Sequence, residues 1–413
     1  MQIQRVKYRD IERVPQLQVA KTFKQEFAGS APAPFIGRMG YPQVNIGFLS
    51  PQFSGDTSHY DAPKLWARGK FSIGQVATMR YGLVNSRTKW NIKEVYADVG
   101  RGIRKEIGRE GGNRQLDIIQ EVGMASRPVE LEVALTKIPQ LHLTQETAIT
   151  PFGPGSELRK VRITGNTKVD TRVEKVVADT DLKAVEGVKG LYKRGIEENQ
   201  LTKLISVGTL GLGKNRKLVP TRWSITAVDD MLGKERIDEI KQFEIRGDFG
   251  LYFGSHFGNY YLLLLFPEVW SYELFETYLE TPVNPWSKNG YAYSTDYENY
   301  AGRKVYAEET AGGYYACRFP IVEKLAEMKR QAGVLALRFI SSEYTMPLGV
   351  WVCREATRKA LAEKPLLFGS EELMLQYARE LIKRKFGFEL DFLLGQSKLL
   401  KNKKEQKKLK DFL

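Results

Sequence analysis

A mixed sheet core with flanking helices, of the α/β or α+β class and followed by a flexible C-terminal tail, is the fold this sequence predicts. Three observations carry it. Residues 321 to 331 and 370 to 385 have helical character, the first with Ile321, Val322, Leu325 and Met328 on one side. Residues 130 to 137 alternate as a half-buried strand, with Leu131, Val133 and Leu135 opposite Glu132 and Ala134, whereas the apolar run at 260 to 267 has the character of a central strand. The 413 residues are 42% hydrophobic, 11% aromatic and 27% charged, the balance of a folded chain long enough for two domains.

Taken in order, residues 15 to 27 place Leu17, Ala20, Phe23 and Phe27 on one side of a short helix that Gly29-Ser30 stops. Residues 34 to 52 follow as a tightly turned β segment with strands at Phe35-Ile36 and Val44 to Phe48. Gly37, Gly40 and Gly47 let backbone pass close to a neighbour. Arg38, between two of them, therefore stands either in a cramped hairpin or in a backbone nest facing an anion. The polar stretch 54 to 70 reads as an exposed loop in which His59 lies beside Asp56 and Asp61. Short mixed elements occupy 71 to 87, and a helix 113 to 125. Between Thr144 and Gly155 the composition turns to Thr, Pro and Gly, which sets a domain boundary. The expected parts are an N-terminal α+β region, 1–150, an α/β main domain, 151–394, and a basic flexible tail, 395–413.

Within the main domain a strand is expected at 160 to 166 and a helix at 181 to 193, with Asp179 and Asp181 at the junction before it. Apolar strands are expected at Leu204 to Val207 and at Ile225 to Val228, the second ending in Asp229-Asp230, followed by a helix over 231 to 242. Residues 284 to 315, rich in Asn, Gly and Tyr, read as a long loop or hairpin system. A strand at 334 to 340, a helix at 350 to 363 and a last helix at 370 to 385 complete the body. Ser370 caps that helix, and Glu371 and Glu372 suit its first turn. Order should fade after residue 394.

Lys and Arg outnumber Asp and Glu 63 to 49, a formal net charge of +14, which points to a polyanion or an acidic surface as partner. Only two cysteines occur, Cys317 and Cys353, so a disulfide framework is excluded. The three histidines (His59, His142, His256) lack ligand spacing, which argues against structural zinc. The charged start MQIQRVKYRD carries no signal-peptide core, and no apolar run approaches a membrane span. A cytoplasmic, nucleoid-associated protein without a membrane partner is the expectation.

Gly208 to Asn215 is one residue away from a phosphate-binding P-loop. Asn215 stands where Ser or Thr must hold magnesium, and Arg216 to Pro220 reads extended rather than helical. Lys214, Arg216, Lys217 and Arg222 beside this loop read instead as phosphate-backbone contacts to DNA or as a solvated basic hairpin. Nuclease chemistry needs converging carboxylates that hold magnesium around a phosphate. Asp179, Asp181, Asp229 and Asp230, at element ends, are the candidates. Glu308 and Glu309, near Arg303 and close to Tyr314 and Tyr315, either line a base pocket through stacking or sit on a plain turn.

The lysine-rich terminus KLLKNKKEQKKLKDFL cannot bury itself. A single helical turn would put Leu409, Phe412 and Leu413 on one face with Gln406 one turn behind. An apolar plug in a lysine field has the form of a docking peptide. These residues resemble the peptide by which replication and repair proteins bind the sliding clamp (PCNA). The resemblance implies a small polar pocket for Gln406 and a hydrophobic one for the aliphatic and aromatic side chains, with Leu413 replacing the second aromatic of the usual pattern.

Over nearly its full length the chain is similar to the archaeal Nre family of DNA repair proteins. The likeness rests on GRMGYPQVNIG (37 to 47), VVADTDLKA (176 to 184), RKLVPTRWSITAVDD (216 to 230) and the terminal peptide. Some members carry an N-terminal cysteine-type zinc motif. No cysteine precedes Cys317, so no metal role carries over. The resemblance implies a repair factor that responds to DNA damage. With the charge and the tail it gives a protein that binds DNA, is recruited by the clamp and has a DNA-processing step left open. The alternatives are a noncatalytic adaptor and a nucleotide- or NAD-dependent enzyme modifying nucleic acid, with Arg38 and Glu309 in its pocket.

Overall fold

Alternating and continuous apolar runs build a six-stranded sheet in each half of the chain. The structure, a computed structural model, describes residues 22–92, 114–140, 148–280 and 292–405, the side chain of Lys214 excepted. The described residues divide into one unit within Pro15–Leu232 and Pro347–Gly349 and another within Gly233–Met346 and Val350–Leu413. The division thus falls after Leu232 and not at Thr144 to Gly155, because strands from both sides of that stretch pair in one sheet.

The first unit contains β1 (Glu26–Ala31), β2 (Ala33–Ile36), β3 (Gln43–Ser50), β4 (Val84–Asn91), β5 (Val129–Leu135) and β6 (Gly155–Ile163). Their order is β1-β5-β6-β4-β3-β2, antiparallel except where β4 meets β6. Period-two burial in β3 and β5 sends Val44, Ile46, Phe48, Leu131 and Val133 into one core. Leu116, Ile119 and Val122 of α3 (Arg114–Met124) join it, each contributing about 1.5–3 kcal/mol of burial. The helices α1 (Pro63–Arg68), α2 (Ile73–Tyr81), α4 (Thr171–Ala178), α5 (Ala184–Lys193), α6 (Glu198–Ser206) and α7 (Thr221–Ile240) follow in chain order. A capping box starts α2: Gln75 N–H donates to Ser72 Oγ at 3.2 Å, and Ser72 N–H donates to Gln75 Oε1 at 2.8 Å.

Three sequence expectations change here. Phe27 ends no helix; it lies in β1, paired with Val133, while the start of the expected helix lies outside the described residues. Leu204 to Val207 is no strand. Leu201, Leu204 and Ile205 bury one face of α6, and a four-residue apolar run alone cannot tell the two periods apart. Ile225 to Val228 is likewise helical, inside α7, so Asp229 and Asp230 stand mid-helix and not at a strand end.

The second unit orders its strands β10-β9-β11-β8-β7-β12, from β7 (Phe249–His256), β8 (Asn259–Phe266), β9 (Ser271–Tyr278), β10 (Ala292–Glu298), β11 (Gly333–Ile340) and β12 (Leu366–Phe368). Every residue of β11 is buried, its apolar residues as a central strand requires and Arg338 with its guanidinium paired to Glu276 at 2.5 Å. The helices are α8 (Ala311–Met328), α9 (Trp351–Ala362), α10 (Glu371–Phe386), α11 (Asp391–Leu394) and α12 (Lys398–Glu405). Met374, Ala378 and Ile382, four residues apart on α10, enter the core of this sheet.

Among the described residues helical structure continues past residue 394, to Glu405. The Glu273 carboxylate accepts from Ser397 Oγ (2.6 Å), Lys398 N–H (2.9 Å) and Leu399 N–H (3.0 Å), capping α12, and Leu399 and Leu400 are buried. Residues 406–413 lie outside the described ones. Among the described residues no helix is long and apolar enough to cross a membrane.

Candidate nucleic-acid interface

The turn between β2 and β3, residues 37–42, is where the first unit presents its aromatic and basic side chains together. Gly40 holds φ at +85°, and a Cβ there would stand 2.6 Å from the Gln43 carbonyl oxygen, so the turn needs glycine. It leaves Arg38 and Met39 exposed and Tyr41 56% exposed. Just before the turn, Ile36 N–H donates to Thr221 Oγ1 at 3.0 Å, which fixes the first residue of α7 at the end of β2. Two residues on, Trp223 is 46% exposed, and its ring centroid lies 5.8 Å from that of Tyr41 at 53°. Half-buried Arg222 precedes it, and exposed Lys217 lies in the segment leading into α7.

The pairing register extends this basic character. Phe35 pairs with Gly47 and Gly47 with Arg87, while Asn45 pairs with Lys89. Directly paired residues share a face, so Arg87 and Lys89 stand on the face of the sheet that carries Phe35. Exposed aromatic rings can take stacked bases, and basic side chains can follow a phosphate backbone.

On the Phe35 side lies a cavity of about 60 Å³. Asn199, Thr202, Lys203 and Ser206, at the spacing of one helical face, form one wall from α6, and Thr221 and Ile225 of α7 form another. Asp61, 11% exposed, places Oδ1 2.7 Å from Arg80 Nη1 and Oδ2 2.8 Å from Lys203 Nζ. Asn199 Nδ2 donates to the same Oδ2 at 2.8 Å. Burial opposes the charge on Asp61, but Lys203 and Arg80 and the hydrogen bonds outweigh it and hold the carboxyl below the usual carboxylate range. Arg80 is 4% exposed; it donates through Nε to Pro151 O (2.8 Å) and through Nη1 to Tyr60 O (3.1 Å).

The other sequence candidates scatter. Asp179 and Asp181 are exposed at the end of α4, where Asp181 N–H donates to Asp179 Oδ1 at 3.0 Å. Asp229 is buried and Asp230 half-buried on α7. Glu309 belongs to the second unit, with its side chain exposed and its N–H donating to Asp296 Oδ2 at 3.1 Å. Among the described residues no three His, Cys, Asp or Glu side chains are grouped so as to hold a metal ion.

Arg216 is a correction. It is 2% exposed, and its guanidinium donates to Gly211 O and Asp179 O, both at 2.8 Å, so it braces the glycine loop from inside instead of facing a phosphate. A 3₁₀ turn follows that loop where a P-loop would start a helix. Tyr314 and Tyr315 are buried in α8, so they form no base pocket; Tyr300 and Tyr306 are the exposed aromatics near Glu309. Of the group around His59, only Asp61 turns into the cavity, since Asp56 Oδ1 accepts from Ser58 instead. The tail residues Gln406, Leu409, Phe412 and Leu413 lie outside the described residues.

The turn that carries Arg38 thus meets the start of α7, which carries Arg222, through the Tyr41–Trp223 ring pair, which the sequence reading passed over. A signal was there: Tyr41 follows Arg38 by three residues, and Trp223 follows Arg222 directly. Nothing local marks Arg80 or Lys203.

Comparison with known proteins matches two family models in succession along the chain, and the first of them runs past Leu232 into the strands β7, β8 and β9. Residues 7–287 match the model described as archaeal Nre, N-terminal, and residues 298–412 the one described as archaeal Nre, C-terminal. The chain is 35% identical over 366 residues to a protein of Archaeoglobus fulgidus named DNA repair protein NreB, covering 88% of this chain and 87% of that one. It is 35% identical over 340 residues to DNA repair protein NreA of Haloferax volcanii, covering 81% and 77%. DNA repair protein NreA of Archaeoglobus fulgidus is 34% identical over 356 residues, covering 86% and 85%. No solved structure matches.

Proposed function

The chain belongs to the archaeal Nre family of DNA repair proteins, and from that premise we propose that it binds single-stranded DNA on the Tyr41/Trp223 surface and is recruited by the sliding clamp through residues 406–413. The observation that carries the DNA part is the exposed aromatic pair at 5.8 Å, with Arg38 in the same turn as Tyr41 and Arg222 preceding Trp223. Aromatic rings stack on any base, and arginine and lysine follow the backbone, so the contact is tolerant of sequence. Such a surface suits a factor that must act wherever damage exposes a strand. The net charge of +14 adds long-range attraction to the same polyanion.

The clamp part is supported by the pattern Gln406, Leu409, Phe412, Leu413 in a lysine field. Fluorescence anisotropy with a labelled single strand tests the first part. Trp223→Ala and Tyr41→Ala each weaken binding, and a protein that binds equally well without both rings does not use this surface.

A further inference from the structure

The cavity lined by Phe35 and Thr221 holds more positive than negative charge among its lining side chains. Arg80 and Lys203 face one carboxylate, Asp61, whose two oxygens are both engaged. Arg80 is 4% exposed, and its Nε and Nη1 already donate to Pro151 O, Tyr60 O and Asp61. Among the described residues nothing accepts from its Nη2. Lys203 Nζ donates to Pro32 O and Asp61 Oδ2, both at 2.8 Å, and an ammonium has a third N–H to give. Thr202 lines the same wall, and Thr221 brings the first turn of the 20-residue α7, whose N-terminal end is the positive end of its dipole.

Size narrows the ligand. One water-sized sphere takes roughly 10–15 Å³. About 60 Å³ therefore suits a group of four or five heavy atoms and not a nucleoside. Buried guanidinium and ammonium donors, left over after a single carboxylate is satisfied, select an oxyanion.

We propose that this cavity binds a phosphoryl group as its dianion, either free phosphate or the terminal phosphate of a DNA strand lying on the Tyr41/Trp223 pair. The second source rests on the DNA-binding reading above; the first does not.

Isothermal titration calorimetry of the full chain with sodium phosphate, against chloride at equal ionic strength, reads the cavity alone. Saturable binding is expected, weakened roughly tenfold or more by Lys203→Met because a charge-assisted hydrogen bond is lost. Thr202→Val, which removes a hydroxyl and no charge, carries the test if Lys203→Met does not fold. Single strands of one sequence bearing a 5′-phosphate, a 3′-phosphate or neither then separate the sources. A gain of roughly tenfold for a phosphorylated strand, lost in the variants, assigns the strand end. Phosphate binding without that gain assigns the free ion. No saturable phosphate binding and no gain, or binding that both variants leave unchanged, overturns the proposal. The unphosphorylated strand with Trp223→Ala reports the aromatic surface separately, so either reading can fail alone.

Discussion

Replacing Trp223 by alanine separates its proposed part in DNA binding from its part in the fold. The indole is 46% exposed on the first turn of α7, so about half of it is available to a base. Losing one stacked base costs about 1–3 kcal/mol. At about 1.4 kcal/mol per factor of ten, the Kd for a single strand should rise roughly 5- to 150-fold. A fully buried Trp→Ala change costs about 3–5 kcal/mol, and a half-exposed ring roughly half of that. Alanine's better helix propensity returns a few tenths. The remaining loss, roughly 1–2 kcal/mol, moves Tm by only several degrees, so the variant is folded in the assay. Anisotropy of a labelled oligothymidine, measured from low to moderate salt, reads both affinity and its salt slope. Trp223→Phe should restore most of the affinity. Arg222→Gln should instead lower the slope by about 0.7, the increment for one phosphate contact on a single strand. Equal affinity for the parent, Trp223→Ala and Tyr41→Ala would refute the stacking surface.

Three further outcomes are expected. Deleting Gln406 to Leu413 abolishes clamp binding in calorimetry and leaves Tm in place, because the Glu273 cap and the buried Leu399 and Leu400 all precede the cut; an undiminished clamp affinity contradicts the docking peptide. Arg216→Ala loses two buried charge-assisted hydrogen bonds and destabilises by about 2–4 kcal/mol in urea, while the folded variant binds DNA as before; unchanged stability with weakened DNA binding would return this arginine to the interface. Burial and the neighbouring Lys359 depress the His256 imidazole from 6.5 to about 4. The folded state therefore keeps it neutral while the unfolded chain protonates near 6.5, so its contribution is full above that pH and is lost as pH falls towards 4. His256→Gln should flatten the stability curve across that window, and parallel curves for the two proteins would show that the group does not titrate as described.

Long periodic segments were legible in the sequence: α3, α10 and the mostly apolar strand β11 stand where their spacing puts them. Short apolar runs were not. Leu204 to Val207 and Ile225 to Val228 are too brief to show a period, and the first lies in a helix that buries Leu201, Leu204 and Ile205 on one face. The basic residues of the interface were half legible. Composition marks an arginine as basic but cannot say whether its guanidinium points out, as it does not at Arg216, where two carbonyls claim it. Asp61, Arg80 and Lys203 lie in separate stretches, and only the fold brings their charges within 3 Å.

Weak contacts of the kind proposed at Tyr41 and Trp223 would serve a repair factor poorly by themselves, since they hold any strand and are screened by salt. A docking peptide changes the arithmetic. Binding through one site makes the second event intramolecular, at an effective concentration that is millimolar for short connections. Here Glu405 closes a helix held by the Glu273 cap and two buried leucines, and the proposed peptide begins at the next residue in sequence. DNA contacts with a Kd of tens of micromolar, on the order of magnitude expected for a few phosphate and stacking contacts, would then be occupied mainly where a clamp is present. Selectivity for the site of repair would come from the clamp, and the surface at Tyr41 and Trp223 would need only to recognise that a strand is exposed.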